Sequence, residues 1–558
     1  MNIIRIRTLA GANIFSYRPA LVLQLEIAEK DESLLKESSD FARRIESLMP
    51  TIPASDSEMR AIRTAKNDLT EAVKNIALSL LSRAGLSGGA SIRFSGVTGV
   101  YEIAVEYEKE TTTRFVLESA VAAVEAVLNN QSFEIDRVIT QAKELADGES
   151  FDDSLPLNEH EKRIPIIAIT GTNGKTTVTR LTAHTLLQSG LNVGTTTTDG
   201  ILFNGEIIER GDTTGPASAR KILKNAAVDV AVLETARGGI MRRGLGWNWA
   251  DIGVVTNITE DHIGQDGIES VADLVDVKSL IAERVRAGGT LILNAADAES
   301  AALANRKSVL RAEKKIVFFA VDESNPILAQ HSVAGETVYF VRDGWICENR
   351  GEIVTPIAET RLIPITMNGT ADFQIQNALA VAAVCRTLDL APEKIAAGLY
   401  GFQSALHNSG RSNFYRVGKG YALIDYGHNP KAMEAICRMT SRWDGKTITG
   451  IVSFPGDRRD DVIEAAGRIA VAGFDRIIIK GDVNLRGRER GEVAEMLHKI
   501  VLETGAQKDC KIVLDAAQAF DDAIAHIGEN EVVVFFYEKL APVMATLEKY
   551  GAVATTEF

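Results

Sequence analysis

The chain has 558 residues, which at roughly 150 residues per domain points to about three or four domains and excludes a single small one. A composition of 45% hydrophobic, 24% charged and 6% aromatic residues describes a globular protein with material for a sizeable core, not a disordered or fibrous chain. With 61 Lys and Arg against 75 Asp and Glu the formal charge is −14, a field that repels phosphate backbones and speaks against nucleic-acid partners.

Residues 1–152 read as an α+β domain. Apolar and polar residues alternate in strand fashion at the N-terminus, and strands are expected over 3–7, 21–27, 91–94 and 101–107. Met59, Ile62, Leu69, Val73, Ile76 and Leu80 recur at helical spacing and predict a buried stripe, and a second helix follows over 115–128. No apolar leader and no membrane-length apolar run is visible, so the expectation is a cytoplasmic protein without a membrane partner. The stretch 146–156 is acidic, punctuated by Gly and Pro and without period, and reads as a linker with the domain boundary near 153.

Residues 153–402 change to short apolar strands alternating with helices, over 164–169, 228–233, 252–257, 290–293 and 316–319. That alternation predicts an α/β domain with a mostly parallel sheet. A strand-rich insert over 333–366 precedes a helix over 373–388. Residues 403–558 form a further, Rossmann-like α/β domain with strands over 421–425, 447–452, 476–479, 511–514 and 531–536. Cys347, Cys385, Cys437 and Cys510 form no CxxC pair, so reduced core thiols are expected, not a disulfide framework or zinc cluster.

The strongest local signal is Gly171-Thr172-Asn173-Gly174-Lys175-Thr176-Thr177, between an apolar strand and an amphipathic helix. Glycines let backbone N–H groups converge on phosphate oxygens, and the helix N-terminus adds positive potential. Lys175 can reach the β- and γ-phosphates, and Thr176 can hold Mg²⁺. The spacing is GxxGKT, shorter than the general phosphate loop. Two later strands end in chemistry-bearing residues, one in Glu234 and one in Asp261-His262. Strand C-termini border the ligand crevice of an open α/β sheet, where Glu234 offers a hard oxygen and His262 an imidazole to a cation.

These blocks, in this order, resemble the ATP site of the Mur ligase superfamily, which includes peptidoglycan-precursor ligases, folylpolyglutamate synthetase and cyanophycin synthetase. The resemblance implies a central ATP-binding domain over 153–402 and a C-terminal Mur domain over 403–558. It also implies a carbamylated Lys278 bridging toward a second metal, although a solvated helix lysine is the plain alternative. By the same resemblance Asn294 and Asn377 face the nucleotide, and Arg411, Asp425 and His428 reach ATP from the C-terminal domain on closure. Ser409 stands where the family more often has proline.

Gly211 to Pro216, Glu234 to Gly239 and the run from Phe474 to Gly491 narrow the resemblance to the Mur half of cyanophycin synthetase, and Thr8 to Asn13 and Tyr101 to Tyr107 resemble its N-terminal domain more weakly. That enzyme places an ATP-grasp domain between these parts, whereas here the phosphate loop follows the N-terminal unit directly, which implies one of the two ligations only. Thr213, Thr214, Arg237, Asp457, Arg486 and Arg488 are the substrate-binding candidates. For the run around Arg486 and Arg488, a solvated mixed-charge turn stays open beside a carboxylate clamp.

The expected function is an ATP- and Mg²⁺-dependent amide ligase. A carboxylate, activated as acyl phosphate, is joined to an amino acid or other amine, on an acidic peptide or cyanophycin-like substrate. Lys175, Glu234, His262, Lys278 and Arg411 are the catalytic candidates, with Thr176, Glu234, His262 and Lys278 as the metal set. A homo-oligomer is compatible with the sequence. The alternatives are a nucleotide-binding or polymer-binding partner of a separate ATP-grasp enzyme, and a P-loop NTPase without ligation.

Overall fold

The computed structural model describes residues 1–37, 40–48, 69–95, 97–149, 163–261, 263–265, 267–504 and 509–557. Met59, Ile62, the boundary near 153 and His262 lie outside the described residues.

The strand Ile166–Thr170 is buried along its whole length, as an unbroken Ile-Ile-Ala-Ile-Thr run requires of a strand covered on both faces. It pairs in parallel with Ala250–Val255 on one side and Val230–Glu234 on the other. Among the described residues the sheet has eleven strands, and the seven from Val338–Arg342 across to Val193–Thr196 run parallel. Antiparallel Trp345–Arg350 and Ile353–Glu359 extend one edge, and Gly200–Phe203 and Glu206–Arg210 the other. The insert over 333–366 is thus a continuation of the sheet. Val193–Thr196, Gly200–Phe203 and Glu206–Arg210 have four or five residues each, rich in Gly, Thr and charge, and carry too little apolar period to stand out in the sequence.

Helices Lys175–Gln188, Asp372–Thr387 and Pro392–Gly401 cover one face, around Val178, Leu181, Leu379 and Leu399. Helices Pro216–Leu223, Arg237–Arg243 and Val271–Glu283 cover the other, around Ile222, Ile240 and Leu274. Val271–Glu283 begins at a Ser270/Asp273 capping box and ends where Lys314 Nζ donates to the Ala282 and Glu283 carbonyls at 2.6 and 2.7 Å.

The C-terminal sheet has seven strands among the described residues. Asp509–Ile512, Arg476–Ile479, Thr447–Val452, Glu531–Phe536 and Gly420–Asp425 are parallel, followed by antiparallel Asn413–Val417 and Val553–Ala554.

The N-terminal unit is a four-stranded antiparallel sheet ordered Asn2–Leu9, Ala20–Glu26, Val100–Glu106, Ala90–Phe94, backed by helices Leu69–Arg83 and Glu110–Leu128. It docks on the helix Arg237–Arg243. Arg7 Nη1 donates to Met241 O at 2.6 Å, Ala10 N to Arg243 O at 2.8 Å, and Leu245 N to Ala12 O at 2.9 Å. Ala12 is fully buried in the central domain's core. All four cysteines are free thiols, three of them buried. Among the described residues no helix is long and apolar enough to cross a membrane.

Candidate active site

The order of pairing makes Ile166–Thr170 a switch point: strands on its two sides send their C-terminal ends into one crevice. Gly171 to Gly174 close that crevice as a loop braced by the segment after Ala250–Val255. Thr172 N donates to Asn257 O at 2.9 Å, Asn173 N to Asn257 Oδ1 at 2.9 Å, and Thr256 Oγ1 to Asn173 O at 2.6 Å. The bracing leaves no space at Gly171, where a Cβ would lie 1.9 Å from Thr256 Oγ1. Gly174, with φ +86°, starts the helix Lys175–Gln188, and a Cβ there would meet Asn377 Oδ1 at 2.5 Å.

Thr176 Oγ1 donates to Glu234 Oε1 at 3.0 Å, and Thr198 N lies 3.4 Å from Glu234 Oε2. Glu234 is 1% exposed, and burial raises its carboxyl above the usual range, against the opposing charges of Lys175 and Arg411. Lys175 Nζ donates to Gly171 O at 3.0 Å and Thr172 O at 2.8 Å, and burial lowers its amine below the usual lysine range. Lys278, 3% exposed, is no solvated helix lysine: it donates to Gly171 O at 2.6 Å. Burial, and then the neighbouring Lys175 charge, push it well below its ordinary value.

A cleft of about 710 Å³ extends from this loop to the C-terminal domain. Lys175, Glu234, Arg237, Lys278, Arg411 and Arg486 are among its lining residues. Arg411 stacks on the Tyr426 ring at 4.5 Å. Asp425 also lines the cleft, one carboxylate oxygen accepting from Ser412 N and Oγ at 2.8 Å each and the other from Gly427 N at 2.6 Å. His428 Nε2 lies 3.4 Å from Asp261 Oδ2.

Other candidates face the cleft less directly. Asn294 lines it, but its side chain donates to Thr256 O at 2.9 Å and accepts from Ala296 N at 2.9 Å. Asn377 Nδ2 donates to Gln374 Oε1 at 2.9 Å. Thr213 Oγ1 donates to Thr197 O at 2.8 Å and Thr214 Oγ1 to Asp212 Oδ1 at 2.7 Å; both are buried, and Asp212 lines the cleft where they do not. Arg488 lies off the cleft lining, on Gly456 O at 2.8 Å, Glu492 at 2.7 Å and Asp460 at 2.6 Å.

Residues 169–385 match the family model of the Mur ligase middle domain, and residues 410–536 that of the Mur ligase glutamate ligase domain. The two larger domains belong to the Mur ligase family. A cyanophycin synthetase of Crocosphaera subtropica is 39% identical over 394 residues, covering 70% of this chain and 44% of that protein. One from a Synechocystis species is 40% identical over 380 residues, covering 68% and 43%. The chain thus spans less than half the length of these relatives. Among solved structures, Mycobacterium tuberculosis folylpolyglutamate synthase complexed with ADP and AMPPCP superposes with a TM-score of 0.53 at 17% identity, over 71% of this chain and 93% of that one. E. coli FolC in complex with DHPP and ADP gives 0.51 at 19% identity, over 69% and 89%. These two likenesses show a shared fold.

Within the Mur middle domain, sequence reasoning misses Thr198, Asp212 and Arg242, which line the cleft beside Glu234 and Arg237. In the C-terminal domain it misses Asn429 and Arg458. Arg458 stands in the charged run Asp457-Arg-Arg-Asp-Asp461, and Asn429 caps the helix Pro430–Thr440, so both have ordinary local explanations that hide a role across the cleft.

Proposed function

We propose that the protein is an ATP-dependent amide ligase that activates a carboxylate as an acyl phosphate and joins it to an amine. The observation that supports this best is the single cleft shared by the phosphate loop, the buried Glu234 and Lys278, and Arg411 and Asp425 of the other domain. A pure nucleotide-binding module has no use for the buried acid and second lysine.

In this reading a substrate carboxylate oxygen attacks the γ-phosphorus of ATP and ADP leaves. The amine nitrogen then attacks the carbonyl carbon, phosphate leaves, and an amide and a proton result. Lys175 and the N–H groups at the start of the helix Lys175–Gln188 hold the phosphates, and Arg411 faces the charge shifted toward the leaving oxygen. Asp425 positions the ribose and Asn377 borders the nucleotide. Thr176 and Glu234, two hard oxygens 3.0 Å apart, suit Mg²⁺, which when bound neutralises phosphate charge. Lys278, driven toward the neutral amine, is primed to take up CO₂ and join that set. Arg237 and Arg242 give the acceptor side of the cleft a positive lining, which fits an acidic peptide or cyanophycin-like carboxylate.

The test is mass spectrometry of products from ATP, Mg²⁺, a panel of amino acids and short isoaspartyl or glutamyl peptides. Product masses one water below the sum of a carboxylate and an amine, with matching ADP release, are expected. ADP release that stays flat across the panel overturns the proposal.

A further inference from the structure

Three consecutive residues after the strand Thr447–Val452 reach across the cleft to the Mur middle domain. Asp457 accepts from Gln265 Nε2 at 2.8 Å, Arg458 Nη2 donates to Asp261 Oδ1 at 3.1 Å, and Arg459 Nη2 donates to Glu260 Oε1 at 3.1 Å. Arg458 is the buried one, 5% exposed, with Nη1 on Asp457 at 3.0 Å. Beside it the Asn429 side chain reaches the phosphate loop directly, its Nδ2 donating to Asn173 Oδ1 at 3.0 Å and lying 3.4 Å from Asp261 Oδ2.

Asp457, Arg458 and their neighbours Gly456 and Asp460 are braced from behind. Arg488 Nε donates to Gly456 O at 2.8 Å, and its Nη2 donates to Arg458 O at 2.9 Å and Asp460 at 2.6 Å. Arg486 Nη1 spans both carboxylate oxygens of Asp457 at 3.2 Å. Two backbone carbonyls and a carboxylate fixed by one planar guanidinium define the course of residues 456–460 in a way a lysine could not.

A charge pair removed from water holds its geometry while both members are present and is costly to split by removing one. Arg458 Nε is buried and has no hydrogen-bond acceptor among the described residues.

We propose that Asp457-Arg458-Arg459 is a closure strip, the element that brings the domain carrying Arg411 and Asp425 onto the phosphate loop. Arg488 is a positioning residue that keeps the strip in shape, not a substrate ligand. The ligase reading enters only through the kinetic part of the test.

Spin labels on Lys307→Cys and Lys499→Cys in a Cys510→Ser background, both exposed and one on each domain, measure the interdomain distance with Mg²⁺ and AMPPCP present. The otherwise unaltered chain populates mainly the short distance. Arg458→Ala and Arg488→Ala each raise the long-distance fraction, and Arg488→Lys fails to restore the short one. Turnover in both alanine variants falls about tenfold or more, a larger factor than any rise in the KM for ATP, because the triphosphate is held by the middle domain and closure adds only the ribose contact of Asp425 and the charge of Arg411. An unchanged distance distribution in either folded variant overturns the proposal, even if its melting temperature falls. A rise confined to the KM for the amine, with closure intact, overturns it too and makes these arginines a substrate clamp. If no carboxylate and amine pair yields product, the ligase reading fails and the distance measurement alone decides this one.

Discussion

Lys175 and Lys278 donate to the same oxygen, Gly171 O, at 3.0 and 2.6 Å from opposite sides of the sheet. Two ammonium groups sharing one carbonyl in a buried site repel each other, and the deeper of the two, Lys278, is pushed furthest toward its neutral form. Lys175 starts the helix Lys175–Gln188 after the glycine loop, while Lys278 comes from the helix Val271–Glu283.

Lys278→Ala is therefore expected to lower turnover by about 10²- to 10³-fold, the typical effect of losing one transition-state contact, with ADP affinity within about threefold. Lys175→Ala is expected to abolish measurable nucleotide binding. Steady-state kinetics and ADP titration by calorimetry check both, and equal effects on binding would remove the distinction.

Gly174→Ala is expected to destabilise the protein by about 1–2 kcal/mol from the left-handed backbone alone. It should also weaken nucleotide binding, because the new Cβ would lie 2.5 Å from Asn377 Oδ1. Urea melts with and without ADP measure the two effects separately.

His184, on the phosphate-loop helix, has ring contact at 4.4 Å with His407 in the connection to the C-terminal domain. Burial, and then the neighbouring His407, lower its value from 6.5 to about 4. Between those values the unfolded chain binds more protons than the folded one, so stability rises with pH across that window and falls as pH drops toward 4. The urea midpoint should follow that slope, and His184→Phe should flatten it. An unaltered slope in the variant would show that other groups set it.

Arg7→Ala removes both the bond to Met241 O and the partner of Glu102, a carboxylate 7% exposed. A loss of about 1–3 kcal/mol is expected, with earlier proteolysis of the N-terminal unit. Because the docked helix carries Arg237, the KM for the carboxylate substrate should rise more than turnover falls. Limited proteolysis and kinetics on the same preparation test the link.

Some of the site is readable from sequence because it is local. Gly171 to Thr177, the strand before them and the helix after them are consecutive, and Glu234 pairs beside Ile169 at the end of the next parallel strand. Thr213, Thr214 and Asn294 look the same in sequence as ligands do, yet their polar atoms hold neighbouring backbone or side-chain groups. Nothing short of the folded chain distinguishes those uses. The closure contacts are hidden for a different reason: Asp261 and Arg458 are 197 residues apart, and Asn173 and Asn429 are 256 apart.

The sequence by itself determined the phosphate loop, the α/β succession of strands and the Mur ligase resemblance, because each depends on residue types at short, fixed spacing. Tertiary structure alone decided the burial of Lys278 against Gly171 and the placement of Arg488 behind a strip that crosses the cleft. Charge state follows burial and neighbouring charge, and these arise only when helices distant in sequence pack over the same loop.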